Sequence, residues 1–184
     1  MKITAVQGSE LLLLEPELLT DSRGSFAEAW RESLLNAQAK HPVHFVQESF
    51  SVSAQYVLRG LHYQLDQPQA KLIRVISGEI FDVAVDLRPD SASFGQHYGL
   101  TLKARDRQML FVPAGFAHGF QVLSAEAEVQ YKVSAYYDAP SDRALLWNDP
   151  QLGIRWPFPT QAVLSEKDKR APALAQAELF KHGL

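Results

Sequence analysis

The side chains best suited to chemistry lie close together in residues 58–64, where Arg59 and His62 enclose Gly60 and Leu61. An imidazole changes its protonation state near neutral pH, so His62 is a candidate acid or base. Arginine is a permanent cation that suits phosphate. Residues three apart on a regular strand point to opposite faces. A shared site therefore requires either a bulge at Gly60 or an Arg59 side chain that reaches around the sheet edge.

His118 is a second candidate, because two glycines and a proline define the backbone around it in residues 113–120. The other histidines stand in loop-like, helix-terminal or unremarkable contexts and receive no role; they are His41, His44, His97 and His182. A zinc or iron site needs about three nitrogen or oxygen ligands. The positions where a histidine paired with His62 would stand hold Gly60 and Gln64. We therefore predict no metal.

Two further polar side chains lie in otherwise apolar strands. Lys71 opens one of them. A lysine at a strand end is usually solvated, but an inward-pointing Lys71 would supply the cation that an enolate oxygen needs. Tyr131 alternates with Val129 and Val133, so it is either a core aromatic or a phenol donor in a pocket.

The composition excludes several classes of function. The chain has 184 residues, a net charge of −3 and no cysteine. No basic field indicates nucleic acid, and neither disulfides nor thiolate sites are possible. The longest apolar run, residues 11–14, is far shorter than the ~20 residues that span a bilayer. We expect a single cytoplasmic domain over residues 1–184, with no nucleic-acid or membrane partner.

The elements that position these side chains are predicted to be mostly short strands. Hydrophobic patterns and turn residues predict strands at 3–6, 11–14, 43–52, 57–64, 71–77, 80–87, 99–103, 108–112, 118–123, 126–134 and 144–147. Helices are expected only at residues 32–40 and 173–181. Strands in series without intervening helices favour an all-β sandwich or barrel.

The strand at residues 80–87 carries Asp82 and Asp86 on one face and apolar side chains on the other. A solvated outer face is the favoured interpretation, because charged residues are mostly exposed. A polar barrel interior is the alternative.

Several segments together resemble the dTDP-4-dehydrorhamnose 3,5-epimerase family of sugar-nucleotide epimerases. They are residues 21–26 (DSRGSF), 58–64 (LRGLHYQ), 82–88 (DVAVDLR), 115–120 (GFAHGF), 147–150 (WNDP) and 164–168 (LSEKD). The resemblance implies a cupin-like double-stranded β-helix, or jelly-roll barrel, with short flanking helices. It covers nearly the whole chain.

The resemblance also implies a division of catalytic labour. A ketone at C4 of the sugar makes the protons on C3 and C5 acidic, and His62 would remove them. Asp168 would hold the imidazole, although the sequence leaves Asp82 open as its partner. Lys71 would stabilise the enolate oxygen, and Tyr131 would return a proton from the opposite face. The reaction needs no redox cofactor.

The substrate implied is a dTDP-sugar, bound partly by a second copy of the chain in a homodimer. Arg23 and Arg59 would bind the diphosphate, and Tyr137 would stack on the base. The remaining predicted binding residues are Glu28, Gln47, Glu48 and Ser49 on the thymidine side, and His118, Asp142 and Lys167 elsewhere in the pocket.

Three alternative functions remain open at this point. A relative that inverts only C3 or only C5 would keep the same residues. A non-catalytic sugar-nucleotide-binding barrel would keep Arg23, Arg59 and Tyr137 but would have no use for the acid–base set. A metal-dependent oxygenase would need ligands that the segment around His62 lacks.

Overall fold

The computed structural model describes residues 1–6 and 8–181, which form two antiparallel sheets packed face to face. The strands in chain order are β1 (Lys2–Ala5), β2 (Leu12–Glu15), β3 (Leu19–Asp21), β4 (Gly24–Phe26), β5 (Gln47–Ala54), β6 (Leu58–Gln64), β7 (Lys71–Ser77), β8 (Glu79–Asp86), β9 (His97–Lys103), β10 (Met109–Val112), β11 (Phe116–Val122), β12 (Glu126–Val133) and β13 (Asp142–Ala144). One sheet has the order β1-β2-β10-β7-β12-β5 and the other β13-β6-β11-β8-β9, while β3 and β4 form a separate hairpin.

Alternation along each strand builds the core between the two sheets. Inward-facing side chains from both sheets form one buried cluster, in which Ile73, Leu110 and Val129 of the first sheet meet Ile80 and Phe120 of the second. Burying such side chains stabilises the fold by about 1.5–3 kcal/mol each. The polar side chains of the candidate site interrupt this layer.

Short helices and loops cover the outer faces of the sheets. Helix α1 (Glu32–Asn36) and its flanking loops pack on the six-stranded sheet through Leu35 and Val43. The chain after residue 144 packs on the five-stranded sheet through Trp156 and Phe180. This segment contains helix α2 (Glu166–Lys169).

The predicted all-β fold with short flanking helices is confirmed, and its differences from prediction are local. The helix expected at 32–40 ends at Asn36, whose side chain bonds both backbone groups of Val43. The helix expected at 173–181 is wrong, since only Leu174–Gln176 form a 3-10 turn. There Leu174 and Phe180 are buried against the sheet, and this packing overrides a weak helical propensity.

The interpretation of Asp82 and Asp86 as a solvated face is wrong, because both carboxylates are fully buried. Asp82 accepts hydrogen bonds from His118. Asp86 accepts two from the guanidinium of Arg88, at 2.7 and 2.9 Å. The two aspartates face inward because their hydrogen bonds with His118 and Arg88 compensate for their loss of water.

Strand β6 contains the bulge that was one of two predicted possibilities. In the ladder between β6 and β11, His62 lies opposite His118 and Arg59 lies opposite Phe120. A separation of three residues on β6 therefore matches a separation of two residues on β11. The extra residue reverses the alternation. Arg59 and His62 therefore line the same cavity.

Gly60 permits this bulge through its backbone angle and its lack of a side chain. Its φ is +119°, a region that residues with a side chain rarely adopt. A Cβ at Gly60 would lie 2.6 Å from the Cα of Gly119, and a Cβ at Gly119 would lie 2.6 Å from the carbonyl oxygen of Arg59. The two strands can approach this closely only because both positions are glycine.

We predict that Gly60→Ala destabilises the fold more than Gly24→Ala. Gly24 has a similar φ of +128° but open space around it. Both substitutions incur a backbone cost of about 1–3 kcal/mol. Only Gly60→Ala also forces two strands apart, so its loss of unfolding free energy should exceed the control's by about 1–3 kcal/mol. Denaturant unfolding measures both values, and equal losses would contradict a close-packing role for Gly60.

Candidate active site

The candidate active site is a cavity of about 180 Å³ between the two sheets. Both walls contribute polar side chains: β6 and β11 on one side, and β5, β7 and β12 on the other. The lining residues are Ser51, Arg59, His62, Lys71, His118, Gly119, Phe120 and Tyr131. An imidazole pair, two cations and a phenol in one cavity form a set suited to acid–base chemistry on an anionic ligand.

Larger cavities lie elsewhere, but their charged groups are engaged with one another. A cavity of about 410 Å³ beside residues 39–44 contains Lys40 and Arg88. Both of these cations bind Glu10, at 3.1 and 3.0 Å. Another, of about 490 Å³, is formed by the β3–β4 hairpin. We therefore assign the active site by convergence of chemical groups and not by size.

His62 is held by Asp168, which α2 presents to it. Ser165 caps this helix by accepting a hydrogen bond from the Asp168 backbone N–H. The carboxylate Oδ1 lies 2.6 Å from His62 Nε2. When Nε2–H donates to Asp168, Nδ1 of His62 is the nitrogen left to accept a proton.

The environment of Asp168 favours its ionised form. Burial opposes ionisation, but hydrogen bonds from His62, Ser165 and the Gly60 backbone N–H, together with the charge of His62, lower its pKa below the usual value. An ionised carboxylate stabilises the imidazolium that forms when His62 takes up a proton.

His118 forms a second imidazole–carboxylate pair beside the first. It is the cross-strand neighbour of His62, and its Nε2 lies 2.9 and 3.0 Å from the two oxygens of Asp82. The open choice of partner for His62 is thus settled in favour of Asp168, because Asp82 binds His118. The pairing of Asp82 with His118 was not predicted from the sequence.

Lys71 and Tyr131 face the histidines from the opposite sheet, on the adjacent strands β7 and β12. Lys71 Nζ donates to the neutral Oε1 of Gln69 at 2.9 Å. Burial of the ammonium group lowers the pKa of Lys71 to about 8, and the negative charge of Asp142 opposes this shift. The lysine is therefore charged at neutral pH but close to its titration point.

Arg59 enters the cavity with its side chain fixed by Ser53, whose Oγ accepts a hydrogen bond from Nε at 2.9 Å. The terminal nitrogens of the guanidinium remain to bind a ligand. Ser53 is buried at the edge strand β5. This strand therefore supports the arginine.

Four predicted binding residues are connected to one another by hydrogen bonds and an ion pair. Tyr137 donates from its hydroxyl to Asp142 at 3.1 Å and from its backbone N–H to Gln47 at 3.1 Å. Lys167 also binds Asp142. The ring of Tyr137 is exposed and accessible for stacking.

The remaining four predicted binding residues do not line the cavity of their own chain. Ser49 points inward opposite Tyr131, but Glu48 lies on the outer face of β5, where it binds Lys132 at 2.7 Å. Arg23 is exposed on the β3–β4 hairpin and pairs with Asp21. Glu28 is also exposed and binds Arg31 at 2.7 Å.

Glu48 does not share the face of Gln47 and Ser49, because consecutive strand residues face opposite ways. Its assignment to the thymidine side stays a prediction. Residues 47, 49, 51 and 53 share the inward face of β5. The same alternation would have identified Ser51, which lines the cavity and which the sequence analysis missed.

Among residues 1–6 and 8–181, no cluster brings three or more His, Asp or Glu side chains together as metal ligands. None of the helices in this part of the chain is both long and apolar enough to cross a membrane.

Comparison with known proteins identifies close relatives of the chain. The family model described as dTDP-4-dehydrorhamnose 3,5-epimerase matches residues 5–176. The dTDP-4-dehydrorhamnose 3,5-epimerase of Pseudomonas aeruginosa is 46% identical, over 98% of this chain and 99% of that protein. The Escherichia coli enzyme of the same name is 45% identical, over 92% of each chain.

Solved structures show the same fold. The 3,5-epimerase of Legionella pneumophila, in complex with dTDP-4-keto-L-rhamnose, superimposes with a TM-score of 0.93 at 41% identity, covering 100% of this chain and 99% of that one. A 3'-monoepimerase from Streptomyces bikiniensis, in complex with dTDP-quinovose, gives 0.84 at 30% identity, covering 92% and 86%. The predicted cupin-like jelly-roll fold is confirmed.

We predict that the Asp142→Asn substitution lowers the pKa of Lys71 below its value of about 8. Removing the negative charge of Asp142 leaves burial unopposed, and burial favours the neutral amine. NMR of the lysine side-chain Cε as a function of pH measures the change.

The control for this measurement is Glu48→Gln, which removes a carboxylate on the outer face of the sheet. It should leave the titration of Lys71 unchanged. Equal shifts of the Lys71 pKa in the two variants would show that Asp142 has no local effect on Lys71.

Proposed function

The chain belongs to the dTDP-4-dehydrorhamnose 3,5-epimerase family, and from this membership we propose how its cavity works. The enzyme is an isomerase that converts dTDP-4-dehydro-6-deoxy-D-glucose to dTDP-4-dehydro-L-rhamnose. One observation supports the proposal above the others. His62, held by Asp168, and Tyr131 face one cavity from opposite sheets.

Proton removal begins at a carbon next to the C4 ketone of the sugar. Nδ1 of His62 accepts the proton from C3 or C5, and the C–H electron pair moves into an enolate. The imidazolium is stabilised by the Asp168 carboxylate, whose Oδ1 lies 2.6 Å from Nε2. General base catalysis of this kind contributes roughly 10²–10⁴-fold to a rate.

Lys71 stabilises the negative charge that forms on the C4 oxygen. Its ammonium group is partly removed from water, which strengthens its interaction with an enolate. Because its pKa is about 8, this stabilisation weakens as the pH rises above that value. His118, fixed by Asp82, borders the same cavity and orients the sugar as a binding residue.

Inversion requires that the returning proton reach the carbon from the other face of the ring. Tyr131 supplies it, since its strand lies in the sheet opposite His62. The phenolate then regains a proton from solvent, and His62 releases its own. The sugar is neither oxidised nor reduced overall, so the steps balance without a redox cofactor.

The nucleotide end of the substrate is bound by fixed cations and an exposed aromatic ring. Arg59, anchored by Ser53 at 2.9 Å, holds the diphosphate with its free guanidinium nitrogens. Tyr137 stacks on the thymine, and Gln47 fixes the Tyr137 backbone. These contacts set the depth at which the sugar reaches His62.

A homodimer completes the site. Arg23 and Glu28 are exposed and lie outside the cavity lining of their own chain. Exposed apolar side chains near them and on the outer face of β5 provide a surface for a second copy; they are Leu19, Phe26, Phe50 and Val52. In the proposed dimer, Arg23 and Glu28 of each chain serve the cavity of the other.

We predict that the enzyme incorporates solvent deuterium at both C3 and C5 of the dTDP-4-keto sugar, as read by NMR of the product. His62→Ala should reduce turnover roughly 10²–10⁴-fold, because it removes the base. Binding of dTDP should change little, since His62 acts on the sugar.

His44→Ala is the matched control, because His44 is exposed and pairs with Glu32 on the surface. It should retain full turnover. Deuterium at only one carbon would show that the enzyme is a monoepimerase and not a double epimerase. The Streptomyces bikiniensis relative is named as a monoepimerase. Unchanged turnover in His62→Ala would refute the assigned base.

We predict that Arg23→Ala and His62→Ala complement each other when the two variants are co-expressed. A mixed dimer with shared sites contains one site with both substitutions and one with neither. Half of the dimers are mixed, so activity should recover to about a quarter of wild type.

The control pair is His62→Ala with Tyr131→Phe, which lie in one chain's cavity. Their mixed dimers contain no intact site and should not recover activity. If co-expression of Arg23→Ala with His62→Ala also fails to recover activity, Arg23 does not act across the dimer.

A further inference from the structure

Ser51 has a hydroxyl that the folded chain does not satisfy. Within residues 1–6 and 8–181, it is the buried side-chain polar atom left without a hydrogen-bond partner. Buried polar groups are nearly always paired, so such an exception needs an explanation. The atom is not isolated in an apolar core, because Ser51 lines the active-site cavity.

The neighbours of Ser51 on β5 are already engaged. Ser53 accepts a hydrogen bond from Arg59 at 2.9 Å, and Ser49 accepts one from Gln47 at 3.3 Å. Across the ladder, Ser51 pairs with Val129, whose apolar side chain offers neither donor nor acceptor. The free hydroxyl of Ser51 therefore stands between two serines that hold other side chains.

Its position corresponds to the part of the substrate where the diphosphate joins the sugar in the proposed function. Ser53, on one side, supports the arginine assigned to the diphosphate. Ser49, on the other side, pairs with Tyr131, which is assigned to the reacting carbons. Inward residues of a strand are about 7 Å apart, so Ser51 lies between the groups assigned to the diphosphate and those assigned to the reacting carbons.

We propose that Ser51 is a further substrate-binding residue, whose hydroxyl donates a hydrogen bond to an oxygen where the diphosphate joins the sugar. This inference rests on the proposed function. The acceptor is either an oxygen of the terminal phosphate or an oxygen of the sugar ring and its hydroxyls. The ligand thereby satisfies a group that the chain leaves unpaired.

The test compares Ser51→Ala with wild type in three measurements: kcat/KM for the dTDP-4-keto sugar, the Kd of dTDP and the Kd of dTMP. The substitution should lower kcat/KM by about 10- to 100-fold if the acceptor is charged, or about 2- to 10-fold if it is neutral. The Tm should stay equal or rise, because an unsatisfied buried hydroxyl is removed.

The two nucleotides identify the acceptor. A weaker affinity for dTDP with unchanged affinity for dTMP assigns the contact to the terminal phosphate. A lower kcat/KM with both nucleotide affinities unchanged assigns it to the sugar. Either result supports Ser51 as a binding residue, and Ser51→Thr, which keeps the hydroxyl, should restore most of the loss.

Two results would overturn the proposal. One is that kcat/KM and the affinities for dTDP and dTMP in Ser51→Ala all stay within twofold of the wild-type values. The other is an equal loss for dTMP and dTDP, which indicates a general distortion of the site. Ser77→Ala, at an exposed serine on β7, is the control that should change nothing. Wild-type enzyme without turnover would refute the proposed function, while the nucleotide affinities would still test Ser51.

Discussion

The active site depends on the close approach of β6 and β11 at Gly60 and Gly119. A Cβ on either glycine would stand 2.6 Å from the backbone of the other strand, so neither position has room for a side chain. The approach accommodates one extra residue in β6, which turns Arg59 to the same side as His62. In the proposed function, a single strand thus holds the charged end of the substrate and supplies the base that acts on the sugar.

Asp168 fixes the base in place next to this stretch of backbone. Its Oδ1 lies 2.6 Å from Nε2 of the His62 imidazole, and the nearby Gly60 N–H helps to lower the pKa of its carboxyl group. Because Ser165 caps the helix that carries Asp168, a segment more than a hundred residues away in sequence is joined to β6 at its bulge. The His62–Asp168 pair therefore connects the bulged strand to the helix end.

The interior of the sandwich tolerates charge because most charged groups there have an opposite partner. Asp168 pairs with His62, and Asp82 pairs with His118. Lys71 differs, since its hydrogen-bond partner is a neutral amide and burial lowers its pKa to about 8. A desolvated cation with a neutral neighbour is well suited to an oxygen that becomes negative during a reaction. The two-sheet architecture places this cation and Tyr131 opposite the histidines.

The sequence by itself determined most of the strands and the chemical candidates, because alternation, turn residues and side-chain chemistry are local properties. It did not predict the β3–β4 hairpin. It also left two ways for Arg59 and His62 to share one site, and the bulge at Gly60 is the one that forms. It grouped Glu48 with Gln47 and Ser49, although strand alternation turns Glu48 to the other face of β5. Only the tertiary structure decided that Asp168 binds His62 and that Asp82 is buried with the other histidine. A carboxylate's partner depends on which distant strand or helix end comes within hydrogen-bond distance, and that is a property of packing.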